Sequence, residues 1–223
     1  MNGSAVPVVA IDGPTASGKG TVAAEVARAL HFHYLDSGAL YRLVAHAALK
    51  SAIPLDDAER IAAVARKLEA DFRDGEITMD GERVTDAIRS EACGNAASVV
   101  AALPALRDAL IERQRAFRRG PGLVADGRDM GSVVFPDAAL KVFLTGSVEA
   151  RADRRYKQLI EKGLDANISA ILQDIGERDA RDCARNVSPL QVARDALIID
   201  STGLSIAQVV AQVLDYWQDR PKR

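Results

Sequence analysis

The sequence predicts an α/β fold whose buried parallel strands end on a ligand-binding edge. Three observations predict it. Five short apolar runs, Val8–Ile11, His33–Leu35, Leu123–Ala125, Leu140–Leu144 and Leu197–Ile199, are separated by helix-like stretches, which is how strands buried on both faces read. The runs leave through small polar residues: Asp12-Gly13, Asp36-Ser37, Asp126-Gly127, Thr145-Gly146-Ser147 and Asp200-Ser201. Such exits line the carboxyl edge of an open sheet, where ligands bind. Finally, a glycine-rich loop ending in lysine joins the first run to a helix. Asp-Gly and Asp-Ser also serve as turns and helix N-caps, but their recurrence at four exits favours a functional edge.

The first run, Val8-Val9-Ala10-Ile11-Asp12, opens the loop Gly13-Pro14-Thr15-Ala16-Ser17-Gly18-Lys19-Gly20-Thr21. A G-x-x-x-x-G-K loop between a strand and a helix cradles phosphate. Its glycines let backbone N–H groups turn inward, the helix N-terminus adds positive dipole, and Lys19 reaches the β- and γ-phosphates. The hydroxyl that would meet Mg²⁺ stands at Thr21, one place later than usual, because Gly20 intervenes. That G-K-G-T form is similar to the loop of nucleoside monophosphate kinases more than to that of switch GTPases. A helix follows from Thr21 to Leu30, and others are expected over Gly38–Leu49, Ala58–Leu68, Leu103–Arg119, Val148–Glu161 and Ile168–Arg185. The last helix starts at a capping box, Ser205-Ile206-Ala207-Gln208, and runs towards Trp217. Alternation from Gly75 to Thr85 around Asp80-Gly81 predicts a β-hairpin. It belongs to a small insert of about Ala58 to Val100.

Composition narrows the function classes. The chain has 223 residues, enough for one well-packed domain. A net charge of −2 offers no basic field for nucleic acid, and 4% aromatics leave little for a base-stacking platform. Cys93 and Cys183 form neither a disulfide scaffold nor a metal-ligand spacing. No segment reaches membrane-spanning length, and the N-terminus lacks a basic leader region with an uninterrupted apolar run, Pro7 breaking it. A cytoplasmic monomer with no nucleic-acid or membrane partner is the expectation. His31, His33 and His46 stand in no ligand or triad spacing and read as packing residues.

Three constellations carry chemistry. Asp126-Gly127-Arg128-Asp129 lies at a strand exit, where Arg128 offers a planar fork to phosphate and a carboxylate accepts from an amino group. Asp36-Ser37-Gly38-Ala39-Leu40-Tyr41-Arg42 leads a strand into a helix, a place for phosphate with Arg42 one turn on, or for an ordinary N-cap. Arg151, Arg154 and Arg155, and then Arg178, Arg181 and Arg185, fall on helix faces. Two such faces suit a lid that clamps a transferring phosphoryl group. As a solvated face they would form i,i+4 pairs, Arg178–Asp182 and Glu177–Arg181, instead.

Along nearly its whole length the chain resembles bacterial cytidylate kinases. The resemblance is carried by Ile11-Asp12-Gly13-Pro14 with Gly18-Lys19-Gly20-Thr21, Leu35 to Arg42, and Asn95-Ala96-Ala97-Ser98. Further motifs are Ala125-Asp126-Gly127-Arg128-Asp129-Met130-Gly131 with Val134-Phe135-Pro136-Asp137, and Glu177-Arg178-Asp179 with Arg181-Asp182. It implies a P-loop NTPase-type parallel sheet of about five strands with helices on both faces. To the core (1–57, 101–150 and 190–223) it adds a nucleotide-binding insert (about 58–100), with a small antiparallel sheet, and an arginine-rich lid (about 151–189).

By the same resemblance the reaction moves the γ-phosphoryl group of ATP to CMP or dCMP, with Mg²⁺ as cofactor. Gly13, Pro14, Thr15, Ala16, Ser17, Gly18, Lys19, Gly20 and Thr21 hold ATP, Thr21 touching Mg²⁺ weakly or indirectly. Ser37, Arg42 and Arg128 meet the CMP phosphate, and Ser98, Arg107 and Asp129 read cytosine. Arg178 and Asp182 approach the sugar. Lys19, Arg128, Arg178 and Arg185 neutralise the charge in transfer. Cys183-Ala184 stand where the family often carries more polar residues. Another acceptor, such as UMP or AMP, is the near rival. A GTP-dependent switch is the distant one: Asp200-Ser201-Thr202-Gly203 fits D-x-x-G, but no Asn-Lys-x-Asp for guanine accompanies it.

Overall fold

The computed structural model describes residues 6–73 and 75–220. The expectation about the N-terminal leader, and the outer ends of the two terminal core segments, rest partly on residues 1–5 and 221–223, outside that range. The chain forms two compact units, one of residues 1–36 with 115–223 and the other of 37–114. In chain order, β1 (Val8–Asp12), α1 (Lys19–Leu30) and β2 (His33–Asp36) open the first unit. The second unit holds α2 (Ser37–Lys50), α3 (Ala58–Lys67), β3 (Ala70–Arg73), β4 (Glu76–Met79), β5 (Glu82–Arg83), α4 (Glu91–Val100) and all but the end of α5 (Pro104–Arg115). The chain then returns through β6 (Leu123–Gly127), β7 (Leu140–Thr145), α6 (Val148–Glu161), α7 (Ile168–Cys183), β8 (Leu197–Asp200) and α8 (Ile206–Asp219). The expected 58–100 insert falls inside the second unit, and residues 151–189 belong to the first.

The five apolar runs make one parallel sheet in the order β2-β6-β1-β7-β8. β1 is central, with Val9 opposite Val124 on one side and Leu140 on the other. Both of its faces are buried, which is why it shows no polar alternation. Val9, Ile11, Val124, Val142, Leu144 and Ile199 join Val22 and Val26 of α1 with Val209, Val213 and Trp217 of α8 in one core. All strands point the same way, so Asp12, Asp36, Asp126, Thr145 and Asp200 lie at the carboxyl edge. Gly13 is required there: a Cβ would overlap the Leu144 carbonyl oxygen.

In the second unit, α2 packs against α3 and α4. The predicted hairpin is present as β4 and β5, with Asp80 and Gly81 at φ of 50° and 81°, the left-handed pair such a tight turn needs. β3 extends it to three antiparallel strands. Neither β3 nor α4 has a counterpart in the expected pattern. The middle of α4, Cys93, Gly94, Asn95, Ala96, Ala97 and Ser98, mixes strong helix formers (the alanines) with weak ones, Gly94 above all, and has no apolar–polar periodicity. The Ser90 side chain caps the helix by accepting from the Cys93 N–H, and Cys93, Gly94, Ala96, Ala97 and Ser98 are buried.

Candidate active site

The loop after β1 turns through two left-handed residues, Ala16 at φ 58° and Gly18 at φ 86°, before α1 begins at Lys19. The Lys19 ammonium donates to the Pro14 carbonyl oxygen at 3.1 Å. It is buried at the foot of the loop, and that burial, with Arg128 nearby, pulls its pKa down to about 7, against the pull of Asp126, Asp182 and Asp36. Asp126, at the end of β6, shows the mirror effect. Burial and the neighbouring Asp36 push its carboxyl up to about 7, although Lys19, Tyr34 and Arg128 oppose this. The Tyr34 hydroxyl donates to Asp126 at 2.7 Å. Thr21 is exposed on the first turn of α1.

Beyond Asp126 the chain carries Arg128 and Asp129 into one π-helical turn, Met130–Val134, in which the Val134 N–H reaches back to the Asp129 carbonyl oxygen at 3.1 Å. Asp12 holds that turn. Its two carboxylate oxygens accept the Met130 and Gly131 N–H groups, each at 2.8 Å. Burial pushes the Asp12 carboxyl up to about 6, with those two N–H groups pulling the other way. The Asp129 carboxylate is buried beside this turn, close enough to raise Asp12 further.

Helix α7 supplies the opposite charges. The Arg128 Nε donates to Asp182 at 2.6 Å, and Arg185 donates to the other Asp182 oxygen. Burial alone would raise the Asp182 carboxyl, but Arg128 and Arg185 outweigh it and hold it below the ordinary value. Arg178 is buried and reaches back to Asp174 at 3.5 Å, while the more exposed Arg181 lies 3.9 Å from Glu177. Lys19, Arg128, Asp182, Arg185 and Asp126 therefore form one charge cluster at the sheet edge. The four aspartate exits diverge in role: Asp126 joins that cluster, Asp36 acts on it from an exposed position, and Asp12 staples a turn. Asp200 is exposed and accepts from the N–H and hydroxyl of Thr202, two residues on.

The second unit gathers the remaining predicted residues about α2, α4 and α5. Ser37 is buried at the first position of α2, directly after Asp36. Arg42 donates to the Ile88 carbonyl oxygen at 2.8 Å, and the Cys93 thiol donates to the Arg42 carbonyl oxygen at 3.2 Å. Arg107 is buried, donates to the Ala101 carbonyl oxygen at 3.2 Å and stacks 5.6 Å from the Tyr41 ring centroid. Ser98 is buried on α4.

The family model described as cytidylate kinase matches residues 9–219. This chain belongs to the cytidylate kinase family. A cytidylate kinase from Bordetella bronchiseptica is 58% identical over 214 residues, covering 96% of each chain. One from Nitrosomonas europaea is 54% identical over 222 residues, covering 100% of each. A solved structure of an uncharacterized protein from Eubacterium ventriosum aligns over 96% of this chain and 99% of its own, with a TM-score of 0.50 and 15% identity, which speaks to the fold alone.

Within this cytidylate kinase family member, several residues of the charge network carry no site role in the sequence: Tyr34 lies in an apolar run, Asp12, Asp36, Asp126 and Asp179 stand only in strand exits or motifs, and Arg151 only on an arginine face. Arg151 was visible as part of an arginine face, but its partners lie across the sheet edge. Its Nη1 donates to the Thr15 carbonyl oxygen at 2.9 Å and to Asp179 at 2.5 Å. Arg154 donates to the Ser201 hydroxyl at 3.0 Å and also to the Ser201 carbonyl oxygen. No spacing rule connects residues so far apart in sequence.

Proposed function

We propose that this chain transfers the γ-phosphoryl group of ATP to CMP and dCMP. The observation that carries the reading is the shared charge cluster of Lys19, from the donor loop, and Arg128, from the β6 exit. One cluster thus joins the residue suited to the β- and γ-phosphates and the one suited to an acceptor phosphate. The two effects that lower the Lys19 pKa, burial and the charge of Arg128, are offset once a triphosphate supplies negative charge, and the ammonium returns to its ordinary protonated state. Family members of 54–58% identity named cytidylate kinase support the choice of CMP.

The acceptor phosphate is already an oxyanion, so no general base is needed. Catalysis consists of alignment, exclusion of water and neutralisation of charge. In this reading residues 13–21 cradle ATP, and Arg128 with Arg42 and Ser37 holds the acceptor phosphate. Asp129, Ser98 and Arg107 read cytosine, while Asp182 and Arg178 approach the sugar. Arg178 and Arg185 act with Lys19 and Arg128 on the phosphoryl group in transfer. Before that, Asp182 spreads its two oxygens over Arg128 and Arg185 and keeps both guanidinium groups oriented.

Among the described residues no group of three or more His, Cys, Asp or Glu is placed to hold a metal ion. We infer that Mg²⁺ would arrive on the triphosphate, since that ion keeps several water and phosphate ligands. Hard oxygen donors that would suit it are Thr21, in the first turn of α1, and Asp126, at the end of β6. When bound, Mg²⁺ neutralises charge on the β- and γ-phosphates. Among the described residues no helix is long and apolar enough to cross a membrane.

The test is an acceptor screen with ATP. CMP and dCMP are expected to be phosphorylated with the highest kcat/KM among CMP, dCMP, UMP, AMP and water. Faster turnover on UMP or AMP, or nucleotide hydrolysis that needs no acceptor, overturns the assignment.

A further inference from the structure

Each polar group of Thr15 is engaged by a different charged side chain. Its N–H donates to Asp179 at 3.1 Å, its carbonyl oxygen accepts from Arg151 at 2.9 Å, and its hydroxyl accepts from Arg128 at 3.1 Å. Thr15 sits in the middle of the phosphate loop, directly before Ala16, whose φ of 58° is a left-handed conformation that a side chain disfavours. Such a backbone persists where its surroundings over-determine it.

Arg151 supplies that determination. It is only 4% exposed. Its Nε donates to the Gly146 carbonyl oxygen at 2.9 Å, at the exit of β7, while Nη1 spans Thr15 and Asp179. The guanidinium is thus fixed to the sheet edge at one end and to the loop at the other. A buried guanidinium is costly unless it is paired, and Asp179 is its carboxylate partner. Asp179 also lies three residues before Asp182, on the same face of α7. One carboxylate of that face holds the phosphate loop, and the next holds Arg128 and Arg185.

We propose that Arg151 and Asp179 are a pair of positioning residues that set the conformation of Thr15 and tie the filling of the donor loop to the placement of α7. A triphosphate entering the loop shifts the Thr15 backbone. The shift reaches α7 through Asp179, and so reaches the end of the helix that presents Asp182 and Arg185. The proposal rests on the reading of residues 13–21 as the ATP cradle.

Two conservative variants test it, with Lys19→Met as a control on the underlying reading. Asp179→Asn keeps an oxygen for the Thr15 N–H but removes the charge that holds Arg151. Arg151→Lys keeps the charge but cannot span Gly146, Thr15 and Asp179 together. Each single variant is expected to raise KM for ATP about tenfold while KM for CMP stays within about twofold, and the double variant to be no worse than the weaker single. Hydrogen exchange with a non-hydrolysable ATP analogue alone should slow across 168–183 in the wild type and not in the variants. An unchanged KM for ATP overturns the proposal. So does a rise in both KM values in step with a lower thermal midpoint, which a merely structural role predicts. If Lys19→Met retains wild-type KM for ATP and wild-type turnover, the ATP-cradle reading itself falls. If Lys19→Met fails while both pair variants behave as wild type, only the coupling falls.

Discussion

Asp12→Asn should change how stability depends on pH, in a direction fixed by the geometry at the end of β1. In the folded protein this carboxyl is pushed from 3.8 to about 6, mainly by burial. A raised carboxyl pKa means that the folded state binds the proton more tightly than the unfolded chain. Stability from this group is therefore present below pH 3.8 and is lost as pH rises through about 6. Linkage over that shift puts the cost of the ionised carboxyl at about 1 kcal/mol near pH 4.5 and about 3 kcal/mol near pH 7.5. Asparagine does not titrate. Its own effect, one oxygen serving the Met130 and Gly131 N–H groups where two did so, is a constant offset across the range. Urea unfolding of both proteins near the two pH values isolates Asp12, because Asp126 and Lys19 titrate in both. The stability difference should move by about 2 kcal/mol in favour of the asparagine variant on going to the higher pH. A difference that is flat with pH, or that moves the other way, refutes the account of Asp12 as a buried carboxylate held by two N–H groups.

Lys19→Met should raise thermal stability of the ligand-free protein near neutral pH while lowering kcat by about 10²–10³-fold, as expected for removal of a charge-stabilising donor. The lowered Lys19 pKa makes wild-type stability rise with pH between about 7 and 10.5; the variant should lose that slope, and a folded variant with near-normal kcat would show that Lys19 takes no part in transfer. Asp129→Ala should reduce kcat/KM for CMP by the equivalent of ~1–3 kcal/mol while hardly changing UMP, because cytosine presents an amino donor where uracil presents an acceptor. Equal losses on the two substrates in steady-state assays would show that Asp129 reads no base.

The sheet was legible because burial on both faces writes it directly into composition. Val8–Asp12 and Leu123–Gly127 are fully buried, and no polar residue interrupts them until the ligand edge. Helices with a charged outer face, such as α6, were equally readable, its bounds matching the expected Val148–Glu161. α4 was not, since its small residues are chosen for close packing and carry no periodic contrast. The aspartate exits mark the limit of local reading. Asp12 and Asp200 both follow an apolar run, yet one is buried and grips a distant turn while the other folds back on Thr202. That difference depends on what the neighbouring strand places above each position. The same holds for Arg151 and Asp179, whose helix face was visible but whose meeting with Thr15 depends on how α6 and α7 return to the loop.

The strand order has a consequence for how the molecule assembles. β1 and β2 are close in sequence but do not pair; both bond to β6, Val8 and His33 each lying beside Leu123. During synthesis the first strands therefore emerge without a hydrogen-bonding neighbour, and must remain so until the chain has passed through all of 37–114. That intervening unit has its own helix packing and its own antiparallel sheet, so its contacts become available first. Closing β1 onto β6 across a folded unit restricts fewer chain conformations than closing across a flexible loop of the same length. The late, long-range parallel pairing is the slow kind. The strands made first, β1 and β2, thus gain their partner only after the 37–114 unit that follows them in the chain, and the apolar β1 waits longest for its neighbour.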